Sequence, residues 1–257
     1  MKDRVLHHAV FRILYPIFDK SFISDSYSCR NDKGTHRAIN RLQKFAGKVG
    51  KNSTKTCFVL KCDIKKFFDS INQDVLTNLI KKKIKDENAF WLIEKIIRSF
   101  NRGLPLGNIT SQLFANIYLN KLDQFIKQKL RIKYYVRYCD DFIILSVDKK
   151  YLKELILEIN AFLKNNLKLS LHPAKISIRK YYKGADFLGY VSFPCHRVLR
   201  TKTKRRMFKK INNKLLGLEQ NKITKYSFGQ TIQSYFGVLK HCNSYKLKNE
   251  ISKQLSK

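Results

Sequence analysis

The sequence predicts an α+β fold on three observations. Phe58-Val59-Leu60-Lys61-Cys62 reads as a strand that gives way, after Asp63, to apolar residues at helical spacing. Two short β-rich runs, 134–139 and 142–146, flank Asp140 and Asp141 at hairpin spacing. Helical patterns stand before and after these strands rather than alternating regularly with them, which is an α+β order.

Taken in order, Val5, Leu6, Ala9, Val10, Ile13 and Leu14 predict an amphipathic helix over 4–18. Residues 24–36 are polar and irregular. After the strand at 58–62, Ile64, Phe67, Phe68, Ile71 and Val75 keep a 3/4 spacing, and helical patterns continue over 74–100. A turn at Gly103-Leu104-Pro105-Leu106-Gly107 precedes a long helix around 110–130. The hairpin follows, with its turn at Asp140 and Asp141. Leu152, Leu155, Ile156, Ile159, Phe162 and Leu163 mark another helix. A strand-rich segment covers 168–193, and beyond about 200 the chain is helical and rich in Lys and Arg.

Fifty-three Lys and Arg oppose 19 Asp and Glu, a formal charge of +34. Self-repulsion on that scale calls for a polyanion to screen it. Basic residues run through the whole chain, interleaved with 13 Tyr and 18 Phe. That distribution points to nucleic acid rather than to a membrane, which would be met by one amphipathic helix or a local cluster. The six cysteines form no CxxC pair and no zinc-spaced set with His. A reduced, cytoplasmic protein without signal peptide or membrane span is expected.

Carboxylates gathered at one point of so basic a chain need a reason. Asp63 ends one buried-looking strand, and Asp140 and Asp141 sit at the tip of a buried-looking hairpin. Unpaired, they would repel and be costly to bury. Magnesium removes that cost, and two ions about 4 Å apart suit an in-line displacement at phosphorus. For the dipeptide alone, two solvated turn residues explain it as well.

Four motifs occur together. Tyr138-Cys139-Asp140-Asp141 has the form of the YxDD box of reverse transcriptases. Cys62-Asp63-Ile64-Lys65-Lys66-Phe67-Phe68-Asp69-Ser70-Ile71 resembles their first palm motif. Gly103 to Gln112 resembles the intervening motif that backs nucleotide and template, and Phe187-Leu188-Gly189-Tyr190 the later primer-gripping hairpin. The resemblance spans about residues 4–200, in family order and spacing. It implies a right-hand polymerase fold: a fingers region over 1–56, a palm with antiparallel sheet and inserted fingers helices over 57–198, and a helical thumb over 199–257. It implies RNA-directed DNA synthesis with two Mg2+ ions on Asp63, the Ile64 carbonyl, Asp140 and Asp141. Its partners would be an RNA template, a DNA or RNA primer, the RNA–DNA hybrid and deoxynucleoside triphosphates.

Leu106 before Gly107, with Ser111 and Gln112 closing the motif, is similar to the enzymes of diversity-generating retroelements. Those copy a template-repeat RNA with errors at template adenines and work with a small basic helical accessory protein. Ser26-Tyr27-Ser28-Cys29-Arg30, Gly34-Thr35-His36-Arg37 and Ser234-Tyr235-Phe236-Gly237 resemble that group too. Retron and defence-associated enzymes share the core and stay open, as does a non-catalytic RNA-binding protein of the same shape.

Among single residues, the resemblance places Phe68 as the gate against a ribose 2′-OH, with Phe67 and Phe68 also suited to a core. Gly107 would let backbone approach the nucleotide, unless it is a plain turn glycine. Leu106 has no polar group to hold base or sugar, a physical reason to expect low fidelity. Lys175 matches a lysine near the triphosphate that could act as general acid; a solvated surface lysine is the alternative. Arg30 and Arg37 are placed at template or at the nucleotide's phosphates, with a plain backbone-positioning contact as the alternative; Ser111, Gln112 and Tyr138 go with template or primer, and Leu188, Gly189 and Tyr190 with the primer end. The basic run 200–210 is expected to track the duplex backbone. Lys61, Lys65 and Lys66 stay unassigned. The family carries a further stretch, with a triphosphate-clamping hairpin, before Asp3-Arg4-Val5; here Met1 precedes that point, so the fingers region reads as truncated at its N-terminus, with a short natural variant, a mis-called start codon and a chain completed by a partner all open.

Overall fold

The computed structural model describes residues 2–255, with side chains over 4–253. Met1, where the truncation is expected, lies outside the described residues. The chain forms two compact units, Met1–Arg179 and Lys180–Lys257.

The first unit begins with α1 (Lys2–Asp19) and α2 (Thr35–Val49), joined by an irregular loop. Helix α1 buries Val10, Leu14 and Phe18 at i, i+4 spacing, whereas Val5, Leu6 and Ile13 are exposed, so the expected apolar stripe is narrower and shifted towards the C-terminus. Helix α2 was not anticipated. It buries Ala38, Ile39, Leu42, Phe45, Ala46 and Val49, a helical repeat hidden among basic residues.

Strand β1 (Phe58–Asp63) leads to a tight turn in which Lys66 takes a left-handed φ of 44°. The predicted continuous helix breaks here. Helix α3 (Phe67–Ser70) stops at an extended Ile71, and α4 (Gln73–Lys81) restarts with Asn72 Oδ1 accepting from the Val75 N–H at 2.9 Å. Asp86 caps α5 (Glu87–Arg98) in the same way. Helix α6 (Ile109–Gln124), extended by a π-helical turn at Phe125–Lys129, is buried nearly all round, because other elements cover it on several sides.

Strands β2 (Tyr135–Tyr138) and β3 (Asp141–Ser146) form the hairpin. Helix α7 (Lys149–Leu167), capped by Asp148, buries Leu152, Leu155, Ile159, Leu163 and Leu167. With β4 (Ser177–Lys180) the sheet order is β2-β3-β1-β4. One core joins Leu60 and Cys62 of β1 and Phe142 and Ile144 of β3 to side chains of α1, α4, α5, α6 and α7. Residues 168–176, expected to be strand-rich, hold only an isolated bridge at Leu171 and a 3-10 turn at Pro173–Lys175.

In the second unit β5 (Ala185–Phe187), β6 (Tyr190–Ser192) and β7 (Arg197–Leu199) make an antiparallel meander, with β7 lying past the expected end of the strands. Three helices follow, α8 (Thr201–Glu219), α9 (Lys225–Leu239) and α10 (Tyr245–Leu255). Helix α8 buries Met207 and Ile211 and leaves Lys202, Arg205, Arg206, Lys209 and Lys210 exposed. Among the described residues no helix is long and apolar enough to cross a membrane. All six cysteines are free.

Candidate active site

The sheet brings the three aspartates together through register. Strands β1 and β3 are antiparallel with Asp63 paired to Asp141, so their side chains leave the same face of the sheet. Tyr138 pairs with Asp141 across β2 and β3, which makes Cys139 and Asp140 the two turn residues. The predicted turn was one residue later. The difference matters, because it puts Asp141 into the ladder beside Asp63 and leaves Asp140 at the tip. Cys139 takes a left-handed φ of 54°.

Asp63 is 8% exposed, and Lys175 Nζ donates to both its carboxylate oxygens at 2.9 Å. Those bonds, more than anything else, raise the Lys175 pKa. Burial pushes the carboxyls of Asp140 and Asp141 above the usual range, and the charge of Asp63 adds to both shifts. Asp141 Oδ1 is buried without a hydrogen-bond partner, its nearest cation being Lys61 Nζ at 3.7 Å. Lys61, unassigned in the sequence, therefore partly screens this carboxylate. Burial holds the thiols beside the aspartates protonated, pushing Cys62 and Cys139 up to about 12.

The site suits a divalent cation. A buried carboxylate oxygen that accepts no hydrogen bond lies beside a second carboxylate whose charge an ammonium neutralises. Among the described residues no three acidic, thiol or imidazole groups form a ready cage, but magnesium takes few protein ligands and completes its shell with water and phosphate. Around Ile64, the Lys65 N–H donates to Ser170 O at 3.0 Å and the His172 N–H to Asp63 O at 2.8 Å, so neither bond uses the Ile64 carbonyl.

The remaining predicted residues divide into two groups. Phe67 is core, 2% exposed, while Phe68 is half-buried against it, ring centroids 5.2 Å apart; Phe67 therefore has no face for a nucleotide. Leu106 is 77% exposed, and Gly107 has a φ of 103° with open space where a Cβ would stand. Ser111 is buried at 1% and cannot present its side chain to a template, whereas Gln112 lines a groove of about 1000 Å³ with Arg4, His7, Trp91, Lys95 and Gly107. Tyr138 is half-buried and its hydroxyl accepts from Thr35 Oγ1 at 3.4 Å.

Arg30, expected at the template, is turned inward. It bonds Asp19 at 2.6 Å and the carbonyls of Ile23 and Ser26, and its side chain is 7% exposed. Arg37 is exposed and donates to the Asp32 carbonyl. In the second unit, Leu188 and Gly189 form the β5–β6 turn, both with positive φ as a type I′ hairpin turn requires. Tyr190 is buried there, donating its hydroxyl to Val238 O at 3.0 Å, so only the turn before it is presented.

Residues 1–192 match the family described as reverse transcriptase (RNA-dependent DNA polymerase). Protein YkfC of Escherichia coli K12 is 25% identical over 79% of this chain and 62% of its own length. The group II intron-encoded protein LtrA of Lactococcus lactis subsp. cremoris is 27% identical over 73% of this chain and 42% of its own. The chain thus spans less than two thirds of either relative. Among solved structures, apo telomerase from Candida tropicalis superposes with a TM-score of 0.61 at 15% identity, over 80% of this chain and 43% of that one. Telomerase from Candida albicans in complex with a TWJ fragment of telomeric RNA gives 0.57 at 12%, over 76% and 37%. At those identities the likeness shows the polymerase fold, α+β with antiparallel sheets. With the match over residues 1–192, the chain belongs to the reverse transcriptase (RNA-dependent DNA polymerase) family.

Proposed function

We propose that this chain is an RNA-directed DNA polymerase, transferring a nucleotidyl group from a deoxynucleoside triphosphate to a primer 3′-OH. The carrying observation is the register that sets Asp63 opposite Asp141 with Asp140 in the adjoining turn. These three carboxylates and the Ile64 carbonyl would hold two magnesium ions. Bound there, the ions would stabilise charge on the attacking and leaving oxygens. Phe68, the half-exposed aromatic, would exclude a 2′-OH, and Gly107 would leave backbone space for the nucleotide. Lys175, once released from Asp63, would reach the triphosphate and could supply a proton to the leaving pyrophosphate. Gln112 and the groove containing Trp91 would receive single-stranded template, by stacking on the exposed indole and contact with Arg4 and Lys95. Arg37 is assigned to template phosphate, the turn of Leu188 and Gly189 to the primer end, and the basic face of α8 to the duplex backbone.

Primer extension on an RNA template with magnesium tests this, beside a chain carrying Asp140→Ala and Asp141→Ala. The expected result is extension by the wild type and loss of it in the variant. Equal behaviour would leave only an RNA-binding role.

The finer reading is cDNA synthesis for a diversity-generating retroelement, from a template-repeat RNA and with a small basic helical accessory protein. It is supported by Leu106, Ser111 and Gln112 closing their motif as in that group. Leu106 also gives it a physical basis, since an exposed aliphatic side chain holds no base or sugar by hydrogen bonds. Sequencing cDNA made in cells tests it: substitutions should gather at template adenines, and Leu106→Gln should reduce them. An even error spectrum would favour another branch of the family.

A further inference from the structure

Behind the aspartates lies a buried polar cluster that the motifs do not include. Arg137 of β2 and Asp123 of α6 have side chains with 0% exposure and form an ion pair at 2.6 Å. Arg137 Nε donates to Asp123 Oδ1 at 2.7 Å and Nη2 to Oδ2 at 2.6 Å. Its Nη2 also donates to Ser26 Oγ at 3.0 Å, and its Nη1 to Asn116 Oδ1 at 3.2 Å and to the carbonyl of Cys139 at 3.1 Å. These bonds number five, the full donor capacity of a guanidinium. Tyr135 completes the set by donating to Asp123 Oδ1 at 2.8 Å.

Burying a guanidinium and a carboxylate this deeply is a poor route to stability, since apolar residues of similar volume often serve as well. What apolar residues cannot do is donate to Cys139 O. That carbonyl belongs to a non-glycine residue at a φ of 54°, one position before Asp140. Such a conformation persists only where the surroundings over-determine it. The main chain of Arg137 is itself clamped, its N–H donating to Asp25 O at 2.9 Å and its carbonyl accepting from the Tyr27 N–H at 3.0 Å. A rigid fork on a rigid strand thus grips the turn that carries Asp140.

We propose that Arg137, oriented by Asp123 and Asn116, is a positioning residue that fixes the turn of Cys139 and Asp140 in the geometry that binds the divalent cation. This rests on the active-site reading above. The shape of the fork is essential to it, because a lysine could pair with Asp123 but could not also reach both Asn116 and Cys139.

The test uses the full chain, Mn2+ as probe followed by electron paramagnetic resonance, and thermal melts. In the double variant Arg137→Met/Asp123→Leu the pair is replaced by apolar volume, so the melt should fall less than in Asp123→Ala, the remaining loss coming from the orphaned Tyr135 hydroxyl, Asn116 and Cys139 carbonyl. Mn2+ affinity should nevertheless fall about tenfold or more, the usual consequence of losing a group that orients a ligand. Arg137→Lys, which keeps the charge, should also bind Mn2+ more weakly. A folded double variant with wild-type Mn2+ affinity overturns the proposal; if the double variant does not fold, unchanged affinity in Arg137→Lys overturns it. Asp140→Asn separates the two readings. If it leaves Mn2+ binding untouched, the active-site assignment fails and this inference falls with it. If it abolishes binding while the Arg137 variants bind normally, the positioning role alone fails.

Discussion

Lys175 Nζ lies 2.9 Å from both carboxylate oxygens of Asp63, so an ammonium neutralises the aspartate that the proposed reaction needs for metal. The two cannot share those oxygens at full occupancy. Lys175→Ala should therefore raise the affinity of the nucleotide-free chain for Mn2+. The gain should be modest, at most about fivefold, because the Lys175 side chain is half-exposed and such pairs contribute little. Primer extension should move the other way if the lysine reaches the triphosphate, with the KM for nucleotide rising. Weaker Mn2+ binding in Lys175→Ala would show that the lysine assists the site rather than competing for it.

The buried aspartates predict opposite pH responses for stability and for metal binding. Burial raises the pKa of Asp140 and of Asp141, so the folded chain holds those protons more tightly than the unfolded chain does. Their penalty to stability is present above the raised folded values and is relieved as pH falls towards the unfolded value of about 3.9. Metal needs the ionised form, so its affinity falls over the same interval. Mn2+ titrations from about pH 8 to about pH 4 should show weakening that begins above the ordinary carboxylate range. Thermal midpoints of the wild type and of Asp140→Asn/Asp141→Asn should converge as pH falls. Constant affinity down to about pH 4 would contradict the burial argument.

Asp123 gives a prediction of stability alone. Burial by itself would lower the Arg137 pKa, but the Asp123 charge and hydrogen bonds more than offset it, and the net shift is upward. Asp123→Ala leaves that guanidinium buried with no counter-charge. Urea denaturation should show a loss of about 3–5 kcal/mol. A loss below about 1 kcal/mol would mean that water enters and solvates Arg137.

These relationships separate what local sequence can show from what it cannot. Runs such as 58–62 and 142–145 are apolar and β-rich, and they form the central strands as expected. The helix break at Ile71 was legible too, in Asn72 as an N-cap, but the continuing apolar spacing masked it. The one-residue error at the hairpin has a different origin. Aspartate suits a turn better than cysteine does, and the bond that Cys139 O accepts in the turn comes from Arg137, whose partner Asp123 lies on a helix distant in sequence from the turn. Likewise Arg30 looked like a nucleic-acid contact because nothing nearby in sequence reveals its pairing with Asp19 across eleven positions. The aspartates proposed to hold metal were readable because that chemistry needs fixed residue types; their supports were not, because packing selects those.

The two positive-φ glycines of the segment 103–107 should respond differently to alanine. A Cβ on Gly107 meets nothing within 4 Å, so Gly107→Ala pays only for its left-handed backbone, about 1–2 kcal/mol. A Cβ on Gly103, whose φ is 59°, would fall on the Phe68 carbonyl oxygen and within 2.8 Å of the Asp69 Cα. Phe68 O already accepts from the Leu104 N–H at 2.9 Å, and Gly103 O from Gln73 Nε2 at 3.1 Å, so neither side can yield cheaply. Gly103→Ala should thus displace α3 and with it Phe68. Its thermal midpoint should drop further than that of Gly107→Ala, and discrimination against ribonucleotides, measured by competing the two triphosphates in primer extension, should weaken. Loss of discrimination in Gly107→Ala but not in Gly103→Ala would remove Phe68 from the gate and move sugar selection to the turn itself.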